Sequence, residues 1–196
     1  DSINRILALE PEILIPSHGD AIIGEQQIQR ELTRYRDAIL YVHDKTVLGM
    51  NQGKDVHTLM AEISLPSDLD IGEGYGRISW SVRGIYESYM GWFDGNPTSM
   101  FSTPVDDAYP QLVELAGGAE AVATLAETQI ESGDYELALH SADIALRAAP
   151  KSIRALQARL AAFKALLAAS DNSNEAGWLG FGVRESQAAL DAALAP

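Results

Sequence analysis

Between Ile78 and Phe93 apolar and aromatic residues return at steps of three and four: Ile78, Val82, Ile85, Tyr89, then Trp92 or Phe93. That spacing gathers them on one face of an α-helix. Asp94-Gly95-Asn96-Pro97 stops the pattern. Gly95 is able to take the left-handed conformation that caps a helix, and Pro97 lacks a donor and disfavours helix at Asn96. Two of the three tryptophans and three of the seven tyrosines fall between Tyr75 and Trp92, a dense supply of large contact surface. Read for periodicity alone, the stretch is a core helix and its turn.

The same spacing recurs along most of the chain. Ser2 caps a short helix carrying Ile3, Ile6 and Leu7, closed by Pro11. Ile13-Leu14-Ile15-Pro16 is an apolar run of the buried-strand type, followed by Ser17-His18-Gly19 on a loop. A long helix is predicted over 25–52, with Ile28, Leu32, Tyr35, Ile39, Val42, Thr46 and Met50 in register and Gly53 as its cap. Within it, His43 and Asp44 are neighbours whose side chains point about 100° apart, so His43 is read as structural rather than as half of a relay. Asp55 caps a helix burying Val56, Leu59, Met60 and Ile63, with His57 on the solvated face. Residues 67–76 read as a mobile loop. Arg77 and Arg83 have the shape to bind an oxyanion, or to snorkel or form surface ion pairs.

Beyond Pro104 a helix is predicted over 105–116, ended by Gly117-Gly118. Further helices follow over 119–132, 134–149 and 152–169, broken at Gly133-Asp134 and Pro150, and a last one over 183–194. His140 is placed facing solvent. Alanine dominates 155–169, which lets helices approach closely. The predicted class is mainly α: a helical bundle preceded by a short helix–strand segment.

Charge narrows the partners. The 196 residues carry 28 acidic and 14 basic side chains, a net charge of −14. Such a chain is unsuited to nucleic acid and to anionic membrane surfaces. No apolar run approaches the roughly 20 residues needed to span a bilayer, so no membrane insertion is expected. A soluble chain is expected; its compartment is not legible, with the bacterial periplasm and the cytoplasm both open. Cysteine is absent, so disulfides are excluded. Asp1 is not an initiator and no signal segment follows it, so a piece of something longer is expected.

Gly91-Trp92-Phe93-Asp94-Gly95-Asn96-Pro97 resembles, without a gap, the GWFDGNP run opening the helical dimerisation domain of the alkyl sulfatases, a branch of the metallo-β-lactamase superfamily. Tyr41 to Thr46, Met50 to Gly53 and Leu115 to Gly118 are similar to other parts of that domain, and Trp178 to Phe181 resembles the aromatic turn that ends it. Gly133-Asp134-Tyr135, Ala138-Leu139, Ala145-Leu146 and Pro150 resemble about one and a half tetratricopeptide repeats, fewer than a free-standing array needs. The resemblance implies that residues 1–20 are the end of a metallo-β-lactamase-like domain and that 21–196 are the dimerisation domain. Pro16-Ser17-His18-Gly19 matches the family's PSHG, which implies that His18 is a ligand of one of two zinc ions. The family's HxHxDH motif is absent. Zinc sites need three or four protein ligands, so this chain alone is expected to be inactive.

The leading expectation is therefore part of a zinc-dependent alkyl sulfatase, hydrolysing alkyl sulfate esters to alcohol and sulfate. This chain would supply the dimerisation domain of a homodimer and one metal ligand, with no catalytic residue of its own. Trp80, Tyr89, Met90, Trp92 and Phe93 are candidates for dimer or substrate-channel contacts, or are simple core. Two alternatives stand beside it: a non-catalytic helical assembly module, or a metallo-β-lactamase-fold hydrolase of another ester.

Overall fold

The computed structural model describes residues 1–195. They form nine α-helices and one two-stranded sheet, the mainly α class that the periodicity predicts. The chain divides by packing into two units, Asp1–Asp94 and a second beginning at Gly95.

The first unit is organised on α2 (Glu25–Asn51), a helix of 27 residues. Its C-terminus closes as the sequence requires. Gly53 takes φ +77°, its N–H donates to the Met50 carbonyl at 2.9 Å, and Lys54 N–H donates to the Gly49 carbonyl at 3.1 Å. These two bonds satisfy carbonyls that have no partner inside the helix. α3 (Val56–Glu62) follows, capped by Asp55, whose carboxylate accepts from the backbone of His57 and Thr58 at 3.0 Å each. α4 (Ile78–Met90) lies against both. Val42, Leu59 and Val82 make the buried centre, with Met60, Ile63, Ile78 and Ile85 packed around it.

α1 (Ser2–Leu7) and a hairpin of β1 (Ile13–Leu14) and β2 (Ile22–Ile23) pack on α2. Two expectations change here, and one element is new. The N-cap of α1 is Asp1, and Ser2 is its first helical residue. The apolar run at 13–16 is not a buried strand: it contributes two residues to an antiparallel ladder, Ile13 opposite Ile23, and Ile13 and Ile15 are exposed. β2 was not legible at all. A two-residue strand is too short for alternation to register, and a ladder of this width covers only one of its faces.

α4 ends earlier than predicted. Gly91, at φ +66°, stops it by donating its N–H to the Glu87 carbonyl at 2.8 Å, and Gly95, at φ +87°, serves a separate turn further on. Trp92 and Phe93 therefore lie beyond the helix and leave its apolar face.

In the second unit, residues 105–116 are not one helix. Val105–Ala108 is a 3₁₀ turn and α5 spans Tyr109–Leu115. Pro110 explains the break: without an N–H it is tolerated in the first turn of a helix but not deeper within one. α6 (Ala119–Glu131), α7 (Tyr135–Ala148), α8 (Ile153–Ala169) and α9 (Ser173–Leu194) follow, each packed on the next. Gly117 and Gly133 cap α5 and α6 with φ of +95° and +83°. Ala123, Ala126, Ala142, Ala145, Ala155 and Ala158 meet where the helices touch.

α9 corrects the C-terminal reading. Trp178 to Phe181 is not a turn but part of one helix, which begins at Ser173 because the Asn172 side chain accepts from Glu175 N–H at 3.0 Å. Gly182 inside it has a packing reason. A Cβ there would lie 2.7 Å from the Phe163 ring, so only glycine lets α9 come this close to α8.

Candidate functional site

Three places in the first unit carry chemistry. The first is the hairpin tip. His18 is exposed between β1 and β2, and its Nδ1 lies 3.0 Å from Ser17 Oγ. Among the described residues no three His, Cys, Asp or Glu side chains converge as a metal site.

The second is the C-terminal end of α4. Trp92 is 77% exposed and Tyr89 60%, Met90 is also exposed and Phe93 is half-buried; Trp80, exposed too, stands in the first turn of the helix, apart from this end. Reading these residues as core is overturned for the four exposed ones. Heptad-like spacing shows that side chains share a face, but not that another element covers it. Trp92 and Phe93 instead contact each other, ring centroids 5.5 Å apart.

His43 ties this end of α4 to α2. Its Nε2 lies 2.8 Å from Tyr89 Oη, and its Nδ1 lies 2.9 Å from Asp44 Oδ1. The expectation that neighbouring helical residues cannot face one another fails here, because both side chains bend along the surface until they meet. The carboxylate only accepts, so Nδ1 carries the proton and, in the neutral ring, Nε2 accepts from the Tyr89 hydroxyl. The string orients Tyr89 and joins two helices, the structural part expected of His43. The two arginines beside α4 are ion-paired: Arg77 lies 3.5 Å from Glu73, and Arg83 lies 2.7 Å from Glu87.

The third place escaped the sequence. Between α2, α4 and the loop of residues 70–77 lies a cleft of about 710 Å³. Tyr35 and Ile39 line it from α2, Ile78, Ser81 and Ile85 from α4, and Ile71, Tyr75 and Arg77 from the loop. Tyr35 and Ile39 belong to the predicted stripe of α2, yet they are about half exposed, and Ala38, which lies between them, is buried instead. The available signal was the loop itself, with glycine at 72, 74 and 76. Neither His43 nor Tyr89 lines this cleft.

Comparison with known proteins assigns this arrangement to a family. Residues 56–188, more than half of the chain, match the family described as alkyl sulfatase dimerisation. A linear primary-alkylsulfatase of Pseudomonas sp. (strain ATCC 19151) is 33% identical over 142 residues, covering 70% of this chain and 27% of that protein. An (R)-specific secondary-alkylsulfatase of a Pseudomonas species is 33% identical over 133 residues, covering 65% of this chain and 20% of that protein. The chain thus spans about a quarter of the length of these curated relatives. The solved structure of the stereoselective inverting sec-alkylsulfatase Pisa1 from Pseudomonas sp. superposes with a TM-score of 0.83 at 26% identity, over 99% of this chain and 31% of that one. On the extent of the family match, this chain belongs to the alkyl sulfatase dimerisation family.

Proposed function

We propose that this chain is the assembly part of a zinc-dependent alkyl sulfatase that hydrolyses alkyl sulfate esters to alcohol and sulfate. In this reading residues 1–20 are the end of the metallo-β-lactamase-like catalytic domain, and 21–196 pair two copies into a homodimer. The observation that carries the pairing is the exposed end of α4. There Tyr89, Met90 and Trp92 lie in the open, as does Trp80 in the helix's first turn, within the stretch that matches the dimerisation family. Aromatic and methionine side chains of this kind are what the buried centres of protein interfaces are enriched in.

His18 would supply one ligand to a zinc ion whose other ligands lie outside this chain. When bound, the metal provides an activated hydroxide and stabilises developing charge. Ser17 has a part in this: with Nδ1–H donating to the Ser17 hydroxyl, Nε2 is left with its lone pair for the metal, the orienting role that a neighbour of a ligating histidine usually plays.

Light scattering at micromolar concentration tests the pairing, with a dimer expected and a monomer overturning it. Trp92→Asp should shift the chain to monomer while its helix content stays unchanged. Zinc analysis of the enzyme carrying His18→Ala tests the ligand: loss of bound zinc with the dimer retained is expected, and unchanged zinc sinks this role. The second reading keeps the assembly role without metal chemistry, in line with the lack of three converging His, Cys, Asp or Glu side chains among the described residues. Stoichiometric zinc and turnover of dodecyl sulfate would eliminate it.

A further inference from the structure

We propose that the cleft between α2, α4 and the 70–77 loop binds an uncharged single-chain amphiphile, of the long-chain alcohol class, and disfavours the corresponding anion. Its volume of about 710 Å³ lies within the roughly 300–1,000 Å³ of small-molecule sites, which are apolar with a few polar groups at fixed places. The walls here are Ile39, Val42, Ile71, Ile78 and Ile85, with Tyr35 and Ser81 also lining it; the Ser81 hydroxyl donates to the Arg77 carbonyl at 3.4 Å and keeps its lone pairs to accept.

The loop that forms one wall is held by bonds of its own. Gly72 N–H donates to the Asp70 carboxylate at 2.9 Å, and Ile78 N–H donates to the Glu73 carboxylate at 2.5 Å. Charge decides the head group. Arg77 is the charged residue among those lining the cleft, and Glu73 lies 3.5 Å from its guanidinium. A sulfate entering here would have to leave water and compete with a carboxylate that already neutralises the cation. A hydroxyl head needs only the hydrogen bonds that tyrosine and serine side chains provide. A second copy of the chain is the less suitable occupant, because Tyr89, Met90, Trp92 and Phe93, the protein-contact candidates, do not line this cleft.

Calorimetric titration of the full chain with 1-decanol and with decyl sulfate, both below aggregation, tests this directly. One saturable site with decanol bound at least tenfold more tightly is expected. Ser81→Trp, at an exposed position on the rim, should abolish binding, and Glu73→Gln should release Arg77 and narrow the preference by about tenfold while keeping an acceptor for Ile78 N–H. Decyl sulfate binding as tightly as decanol, no saturable site, or binding untouched by Ser81→Trp overturns the proposal. So does dissociation of a dimer by Ser81→Trp, which would assign the cleft to a second chain. None of these outcomes depends on zinc or turnover, so the sulfatase reading and this one fail separately.

Discussion

In the first unit the buried centre is made by Ile28, Val42, Leu59 and Val82; in the second it is made chiefly by alanines, eight of them at 3% exposure or less. Side-chain size sets what each can do. Alanine brings helix backbones close together, as along α6 to α8. Branched side chains hold helices further apart, and where the packing of α2 against α4 opens, a cleft remains. The aromatic end of α4, the His43–Tyr89 tie and the cleft all belong to the unit with the larger core side chains. Close-packed alanine builds a scaffold, while looser packing of large residues leaves room for a site.

The comparison breaks if the two cores respond alike to volume. Leu59→Ala removes a fully buried side chain from the first and should cost about 2–5 kcal/mol of stability, read from the urea midpoint. Ala142→Leu adds volume to a site that is 0% exposed in the second, and should cost about 1–3 kcal/mol. A neutral Ala142→Leu would show that the alanine seams have slack.

Glycines in α9 sharpen the point by sign. Gly182→Ala places a Cβ 2.7 Å from the Phe163 ring and should destabilise despite alanine's higher helix propensity. Gly177→Ala, with nothing within 4 Å of the new Cβ, should stabilise by roughly 0.5–1 kcal/mol. Thermal unfolding of the two variants separates them, and equal signs would remove close approach as the reason for Gly182.

The smallest effects are electrostatic and appear in both units. Hydrogen bonds from the Thr58 hydroxyl and backbone hold the Asp55 carboxyl below its usual range, and the paired Arg154 guanidinium does the same for Glu127. A carboxyl with a lowered folded-state pKa stabilises above its unfolded value, and that contribution is lost as pH falls through the folded value. Asp55→Ala and Glu127→Gln should therefore lower the melting temperature slightly at neutral pH, with the difference from the parent vanishing in acid. Of the two, Glu127→Gln should be the smaller, because it loosens a solvent-screened pair, whereas Asp55→Ala also removes the acceptor for two backbone N–H groups at the start of α3. A difference that persisted well below the carboxylate range would point to lost packing instead.

What could be read directly concerned single helices and their ends. Gly53, Gly117 and Gly133 end α2, α5 and α6 in the left-handed region, a backbone demand that glycine announces by itself. Asp55 before an apolar run announced a cap in the same way. Where two glycines competed, as Gly91 and Gly95 did, sequence alone chose the later one and carried Trp92 onto a helix it does not belong to. Family membership was legible because GWFDGNP is specific as a string, independent of where it sits in space.

By itself, then, the chain determined most of its helices, several of their caps and its kinship, because each depends on residues within a few positions of one another. Tertiary structure decided that Ile15, Tyr89 and Trp92 face outward, that His43 reaches both Asp44 and Tyr89, and that a cleft opens beside Ile39. Periodicity establishes which side chains share a face. Whether that face is covered depends on the volumes and angles of elements distant in sequence, and only the packed molecule fixes those.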